Sequence, residues 1–312
     1  MMKEKNKMYS INKKSTAREL KLLLQTNFQE LVIDSLHTLG EGWMSRAFLV
    51  NNQIVFRLPK NHEGALDTKK EINILPTLIN TLSLEIPDFL YIGEQENGFP
   101  FVGYNILSGE PLDEQLFLAL PREIKNFLAR QLAQFMNEIN SYDVPTAKSF
   151  SVPEKNFRQH YQAVFQEAKV KLFPLLDNEE QEEIIRQFEQ YLGKQANFSY
   201  TPKLTHSDIS LNHLMYDSKN EKLTGIIDFG DLQIGDPDFE YIYLLEECGE
   251  DLVVQIMENR QVENISHTLE KIHFFTHTDN VIQFLEGLKR NDKAMMDEAL
   301  FHLKAHLKNA LL

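Results

Sequence analysis

The 312 residues carry 32 Lys and Arg against 46 Asp and Glu, a formal net charge of −14, and 42% of them are apolar. That length and apolar content supply a large core and point to two lobes, while the acidic balance excludes nucleic acid as the main partner, because phosphate backbones are held by basic surfaces. The lone cysteine, Cys248, excludes an internal disulfide framework and fits a reducing compartment, and no apolar run approaches the ~20 residues of a membrane span.

Met1 to Lys14 is basic and polar without the apolar stretch of a secretory signal, so it is read as a frayed start to a cytoplasmic protein. Ser15 can cap a helix running to about Gln25. Strands are expected around 31–39, 45–50 and 53–58, with Asn51-Asn52 as a hairpin turn because Asn tolerates positive φ. The first turn, Leu39-Gly40-Glu41-Gly42-Trp43-Met44-Ser45-Arg46, is a small glycine-bearing connection whose N–H groups can approach phosphate, although it lacks a full G-x-G-x-x-G. Arg57 interrupts the apolar run Ile54-Val55-Phe56-Arg57-Leu58-Pro59, and such a cation needs a partner. The next helix, about Ala65 to Leu75 and kinked or restarted at Pro76, offers Glu71, and an Arg–Glu pair can be bidentate. Lys60 competes for the same role but follows Pro59.

Strands near 88–93 and 100–106 come next, the second ending at Leu107-Ser108-Gly109. From there the chain turns helical. Pro111 to Ala119 and Pro121 to Asn140 each open on Pro. Phe127, Leu128, Leu132, Phe135 and Ile139 recur at helical spacing as a buried stripe. Pro153 to Leu192 reads as helical and charged, with Asn178 to Glu183 as a solvated face. After the segments described next, Asp236 with Pro237 marks a helix start, and Asp251 to Leu312 is helical throughout.

The chemistry is concentrated in Leu204-Thr205-His206-Ser207-Asp208-Ile209-Ser210-Leu211-Asn212-His213-Leu214 and Gly225-Ile226-Ile227-Asp228-Phe229-Gly230-Asp231. Short apolar runs flank each polar cluster, which suits side chains held at strand ends. His-x-Asp, a residue five positions on, and a later Asp-Phe-Gly is the spacing used to move a phosphoryl group from a nucleoside triphosphate to a hydroxyl. A hydroxyl needs a carboxylate to orient it and take its proton, the role expected of Asp208. The triphosphate arrives as a Mg²⁺ complex and requires oxygen ligands, the role expected of Asp228. His213 stands where protein kinases carry a metal-binding Asn, and a neutral imidazole can serve there.

Together these segments resemble the aminoglycoside and macrolide phosphotransferase superfamily, the small-molecule branch of the protein-kinase fold, over roughly residues 31 to 310. The resemblance rests most on His206-x-Asp208-(x)4-His213 and on Asp228-Phe-Gly-Asp231-(x)4-Asp236-Pro237. Enzymes acting on the 2″-hydroxyl of aminoglycosides carry similar segments. Macrolide 2′-phosphotransferases share the His and an Arg strand cation, as in Arg57-Leu58-Pro59-Lys60. The resemblance implies an α+β bilobal fold, with an antiparallel-sheet nucleotide lobe at 1–106 and a larger helical catalytic and acceptor lobe at 107–312. It implies Mg²⁺, with ATP or GTP as donor, and Asp208 as catalytic base. It places Gly42 and Ser45 in the phosphate loop, Arg57 and Glu71 at the phosphates, Tyr104, Asn105 and Leu107 at the hinge, and His213 and Asp228 on the metal. Asp231, Glu246 and Glu247 are expected at the acceptor. Arg57 departs from the aminoglycoside pattern, where Lys is expected, and an Arg is bulkier than a Lys point charge. The implied reaction is phosphorylation of a small-molecule hydroxyl, first on an aminoglycoside-like antibiotic, alternatively on a macrolide or metabolic alcohol. A catalytically silent nucleotide-binding protein is the reading of another class; a binding module, however, does not need a base. No nucleic-acid or membrane partner is implied, and oligomeric state is left open.

Overall fold

The computed structural model describes residues 13–310, so most of the polar start and the last two residues lie outside the described residues. The chain divides into two compact units, one of residues up to Asn80 with Glu85–Ser108, the other of Thr81–Leu84 with Gly109 onward.

The first unit is an antiparallel sheet with two helices. Its elements are α1 (Lys13–Asn27), β1 (Leu36–Glu41), β2 (Ser45–Val50), β3 (Ile54–Pro59), α2 (His62–Leu78), β4 (Phe89–Glu94) and β5 (Pro100–Asn105). The strand order is β1-β2-β3-β5-β4. Asn51 and Asn52, both at φ 54°, make the β2–β3 turn, a conformation that Asn tolerates. Strand alternation sends Phe48, Val50, Phe56 and Leu58 to one face, where Leu20 and Leu24 of α1 cover them. Val55 and Arg57 take the other face. Gly103 lies opposite Phe56, and a Cβ there would come within 2.5 Å of that ring, so only glycine lets β5 pass. The first strand begins at Leu36 rather than 31, because the Asn51 side chain ties down the preceding turn by accepting from the Asp34 and Ser35 N–H groups. Pro76 does not end α2. Asn61 caps the helix at its start, and buried Ile74, Leu75 and Leu78 hold it across the proline to Leu78.

The second unit carries two small sheets among helices. These are β6 (Glu110–Pro111), α3 (Glu114–Ala119), α4 (Arg122–Asn140), α5 (Val144–Ser149), α6 (Phe157–Lys171), α7 (Asn178–Gly193), β7 (Lys203–Thr205), β8 (Leu214–Asp217), β9 (Lys222–Ile226), β10 (Gln233–Gly235), α8 (Ile242–Cys248), α9 (Glu250–Asn259), α10 (Ile265–Arg290) and α11 (Lys293–Ala310). Its core is rich in aromatic rings, with Phe157, Tyr161, Phe188 and Phe275 fully buried. Pro111 pairs in β6, and the expected helix starts only at Glu114, capped by Asp113. Phe127 is not core. It is 37% exposed with Arg130 over its ring, one position off the buried stripe of Leu128, Leu132, Phe135 and Ile139. The 153–192 stretch is broken by Asp177, which forms a capping box with Glu180 and restarts the helix. Within its acidic run Glu183 is buried against Arg186 and Gln187 rather than solvated. The tail is three helices, interrupted at 260–264 and 291–292. Among the described residues no helix is long and apolar enough to cross a membrane.

Candidate active site

Strand pairing brings the two polar loops together. The β8–β9 hairpin sets Leu214 opposite Ile226, and the β7–β10 pair sets Thr205 opposite Gln233. The loop from Thr205 to Leu214 and the loop from Ile226 to Gln233 therefore share anchors at both ends. Ile227 N–H donates to the His213 carbonyl (3.0 Å), one more rung between them.

Each loop holds one non-glycine residue in the left-handed region, Ser207 at φ 71° and Asp228 at φ 64°. Such backbone costs on the order of 1–3 kcal/mol and persists where surrounding contacts impose it. At Ser207 the contacts are visible. Its hydroxyl pairs with Thr205 Oγ1 (2.8 Å) and accepts from Gln233 Nε2 (2.9 Å).

His206 is fully buried between the rings of Phe135 and Phe229. Its Nδ1 accepts from the Asp208 N–H (3.3 Å), and its Nε2 lies 3.2 Å from the Ile227 carbonyl, to which it donates in the matching tautomer. One side chain thus joins the peptide of Asp208 to the residue before Asp228. Burial drives the imidazole pKa down to about 4, so it is neutral at ordinary pH, the state this pair of bonds requires.

His213 faces both carboxylates. Its Nδ1 is 3.1 Å from the Asp208 carbonyl and 3.4 Å from Asp208 Oδ2, and its Nε2 is 3.8 Å from Asp228 Oδ2. Burial alone would lower its pKa, but hydrogen bonding and charge from Asp208, with the charge of Asp228, raise it to about 9. One donor atom from each of Asp208, His213 and Asp228 lies within 4.8 Å of the other two. Two carboxylates and an imidazole converging this closely repel unless a proton or a cation sits among them, so the donor set fits a hard divalent ion.

The remaining expected residues fall as follows. Arg57 pairs with Glu71 inside the first unit, with Glu71 buried. Gly42 N–H closes the β1–β2 turn on the Ser45 carbonyl, and Lys60 holds both the Gly42 carbonyl and the Glu41 carboxylate. Tyr104 and Asn105 end β5, and Leu107 is buried just beyond. Asp231 ends the short 3₁₀ turn after Asp228. Glu246 lies on α8. Partial burial, then the charges of Asp279 and Glu247, raise its carboxyl to about 7 although the side chain still reaches solvent. Glu247 commits one carboxylate oxygen to the Leu211 N–H (2.6 Å), supporting the loop that carries His213.

Sequence reasoning passed over a buried polar network behind His206. Glu240 accepts from the His206 N–H (2.9 Å) and from Asn140 Nδ2 (2.9 Å). Arg260 donates to the Asn140 side-chain amide oxygen Oδ1 (2.6 Å) and to the Tyr241 hydroxyl (2.9 Å). Glu240 is fully buried, and burial raises its carboxyl to about 7 against the pull of Arg260. A Glu inside Asp236-Pro237-Asp238-Phe239-Glu240 reads locally as helix initiation, and only tertiary contact reveals its use.

An antiparallel-sheet unit with a strand cation paired to a helix Glu, and a helical unit with paired His-x-Asp and Asp-Phe-Gly loops, make this chain a small-molecule kinase. More narrowly, it matches the phosphotransferase enzyme family APH over residues 35–272 and belongs to that family. Among solved structures, the GDP complex of wild-type aminoglycoside 2′-phosphotransferase-IIIa is 37% identical, covers 94% of this chain and 99% of its own, and superposes with a TM-score of 0.91. The gentamicin complex of the aminoglycoside phosphotransferase APH(2″)-IIa is 27% identical, covering 91% of this chain and 95% of its own, at a TM-score of 0.75. A macrolide 2′-phosphotransferase type I shares the fold at 17% identity, covering 92% and 97% of the two chains, at a TM-score of 0.72.

Proposed function

We propose that this protein transfers the γ-phosphate of ATP or GTP, as its Mg²⁺ complex, to a hydroxyl of an aminoglycoside-like antibiotic. The observation that carries the reading is the convergence of Asp208, His213 and Asp228 within 4.8 Å. In this reading Asp208 accepts a hydrogen bond from the acceptor hydroxyl and takes its proton as the new O–P bond forms and the β–γ bridging bond breaks, releasing the nucleoside diphosphate. His213 and Asp228 would hold Mg²⁺, which supplies charge neutralisation for the phosphates. Residues 1–106 serve the nucleotide. Arg57, oriented by Glu71, meets the phosphates, Gly42 and Ser45 line the phosphate turn, and Tyr104, Asn105 and Leu107 serve the base. Residues 107–312 serve chemistry and the acceptor, with Asp231, Glu246 and Glu247 supplying negative charge for a cationic ligand. A nucleoside triphosphate donor and a single free cysteine, Cys248, fit a cytoplasmic setting. Support for the acceptor class comes from the 37%-identical relative solved with GDP and kanamycin. A macrolide or metabolic alcohol is the second reading, favoured by Arg at position 57.

The test is a nucleotide-coupled assay of the full chain with kanamycin, gentamicin, streptomycin and a macrolide, each with ATP and with GTP. Antibiotic-dependent turnover with an aminoglycoside is expected, and Asp208→Ala is expected to abolish it while nucleotide binding survives. Turnover confined to the macrolide would replace the first reading with the second. Full activity of Asp208→Ala would remove the assigned base.

A further inference from the structure

The β1–β2 turn assigned above to the phosphates is shaped from one place, the junction of β3 with α2. Lys60, the first residue past β3, reaches it twice. Its N–H donates to the Met44 carbonyl (2.7 Å), and its Nζ donates to the Gly42 carbonyl (2.8 Å). The same ammonium pairs with the Glu41 carboxylate (2.9 Å), which ties in the end of β1. The next residue, Asn61, caps α2 by accepting from the Gly64 N–H (2.8 Å), and its amide nitrogen lies 3.6 Å from the Met44 sulfur. A Cβ at Gly64 would stand 2.6 Å from the Met44 carbonyl oxygen, so glycine lets α2 start this close to the turn.

These contacts decide which way the peptides of the turn face. Every peptide bond among the described residues is trans, and in a trans peptide the N–H points opposite to the carbonyl. With the Gly42 and Met44 carbonyls held on Lys60, the Trp43 and Ser45 N–H groups are turned away from it. The Gly42 N–H closes the turn from within, on the Ser45 carbonyl (2.9 Å). A turn that gathers carbonyls on one side and sends N–H groups to the other has the polarity of an anion site. Glu41, Gly42 and Trp43 are exposed, so burial does not impose this shape, and the contacts of Lys60 do. The helix that starts here also carries Glu71, the partner of Arg57, so one element braces both the turn and the strand cation.

On the phosphate reading of that turn given in the preceding section, we propose that Lys60 is a positioning residue for the nucleotide's phosphates. It acts through the turn: its two hydrogen bonds fix the Gly42 and Met44 carbonyls, and so the direction of the N–H groups that follow them. Its ammonium is spent on Gly42 and Glu41 and is not itself the phosphate contact, a role left to Arg57 and the turn. Lys60 therefore governs how tightly the phosphates are held and leaves the base and the acceptor untouched.

The experiment compares wild type with Lys60→Met, with Lys60→Gln, which keeps a neutral donor for the Gly42 carbonyl, and with Lys60→Arg, which keeps donor and charge. Nucleotide KM and acceptor KM are measured with kanamycin and with ATP and GTP in turn. Calorimetric titrations with ADP, GDP and the two matching nucleosides, all in Mg²⁺, and thermal melting use the same preparations. Lys60→Met is expected to raise nucleotide KM and diphosphate Kd about five-fold or more, the loss that one organising hydrogen bond explains. Acceptor KM, nucleoside affinity and Tm should stay near wild type, since a partly exposed ion pair adds at most about 1 kcal/mol to stability. Lys60→Gln should recover part of the loss and Lys60→Arg most of it. Unchanged nucleotide KM and Kd in Lys60→Met would overturn the proposal while leaving the kinase reading intact. Equal losses for nucleoside and diphosphate would assign Lys60 a structural role only. Lys60→Gln as weak as Lys60→Met, beside an intact Lys60→Arg, would make its charge a direct phosphate contact and overturn the positioning role. Should wild type bind the diphosphates but turn over no acceptor, the acceptor reading fails alone, and the titrations still decide the role of Lys60.

Discussion

His206→Phe tests whether one buried imidazole couples the two motif loops. Phenylalanine keeps a ring between Phe135 and Phe229, whose centroids lie 6.2 and 4.5 Å from that of His206. It removes both polar contacts, leaving the Asp208 N–H and the Ile227 carbonyl without the partners now at 3.3 and 3.2 Å. A buried backbone group left unpaired costs about 1–3 kcal/mol. Both bonds here are long, so the lower half of that range applies to each, about 2–4 kcal/mol together. Each kcal/mol lowers Tm by about 2–4 °C in a domain of this size. The Asp208 peptide would also lose its tether, and a misplacement of about 1 Å near the reacting atoms costs on the order of 10²-fold in rate. Thermal melting and kcat on the same preparation check both parts. A His206→Phe protein that melts at the wild-type temperature and keeps kcat within about three-fold would refute the coupling.

Other outcomes follow from features of each unit. Glu71→Ala removes the buried carboxylate that pairs with Arg57, and the melting temperature should fall by the equivalent of about 3 kcal/mol with a higher nucleotide KM; an unchanged KM would detach Arg57 from the phosphates. Gly103→Ala puts a methyl 2.5 Å from the Phe56 ring, and chemical denaturation should register about 1–3 kcal/mol of overpacking. His277 is held near pKa 3 by burial, with help from His306 and His273, against 6.5 when unfolded. Its folded pKa is the lower one, so its contribution is intact above pH 6.5 and is lost as pH falls toward 3, at up to about 1.4 kcal/mol per pH unit. His277→Phe should flatten the acid limb of the stability curve by that slope, measured by denaturant titration between pH 6 and 4.

The readable parts of the sequence were those whose signal is local. Asn51-Asn52 announces a turn by its chemistry, β3 and β5 by apolar runs, and the site by two short motifs whose spacing alone names a reaction. Arg57 was legible because a cation in an apolar strand demands a partner, and Glu71 lay one helix away. What escaped was settled at a distance. Phe127 differs from its buried neighbours by a single helical position, about 100° of rotation, which a loosely drawn stripe does not resolve. Pro76 stays helical because buried residues on both sides outweigh one missing donor. Glu183 belongs by composition to a solvated run and by packing to the interior. Asn140, Glu240 and Arg260 come from three separate stretches of chain, so no window of sequence could have grouped them.

That last group has a consequence for how the enzyme can be altered. The peptide of His206 hangs from Glu240, whose charge is balanced by a guanidinium just past α9. Arg260 contacts none of the three converging side chains, yet replacing it would remove the charge that opposes protonation of the buried Glu240 directly behind them. Catalytic tuning in this protein therefore has a remote handle: drift at position 260 can detune turnover while every reacting group stays in place, and an inventory of active-site substitutions would miss it.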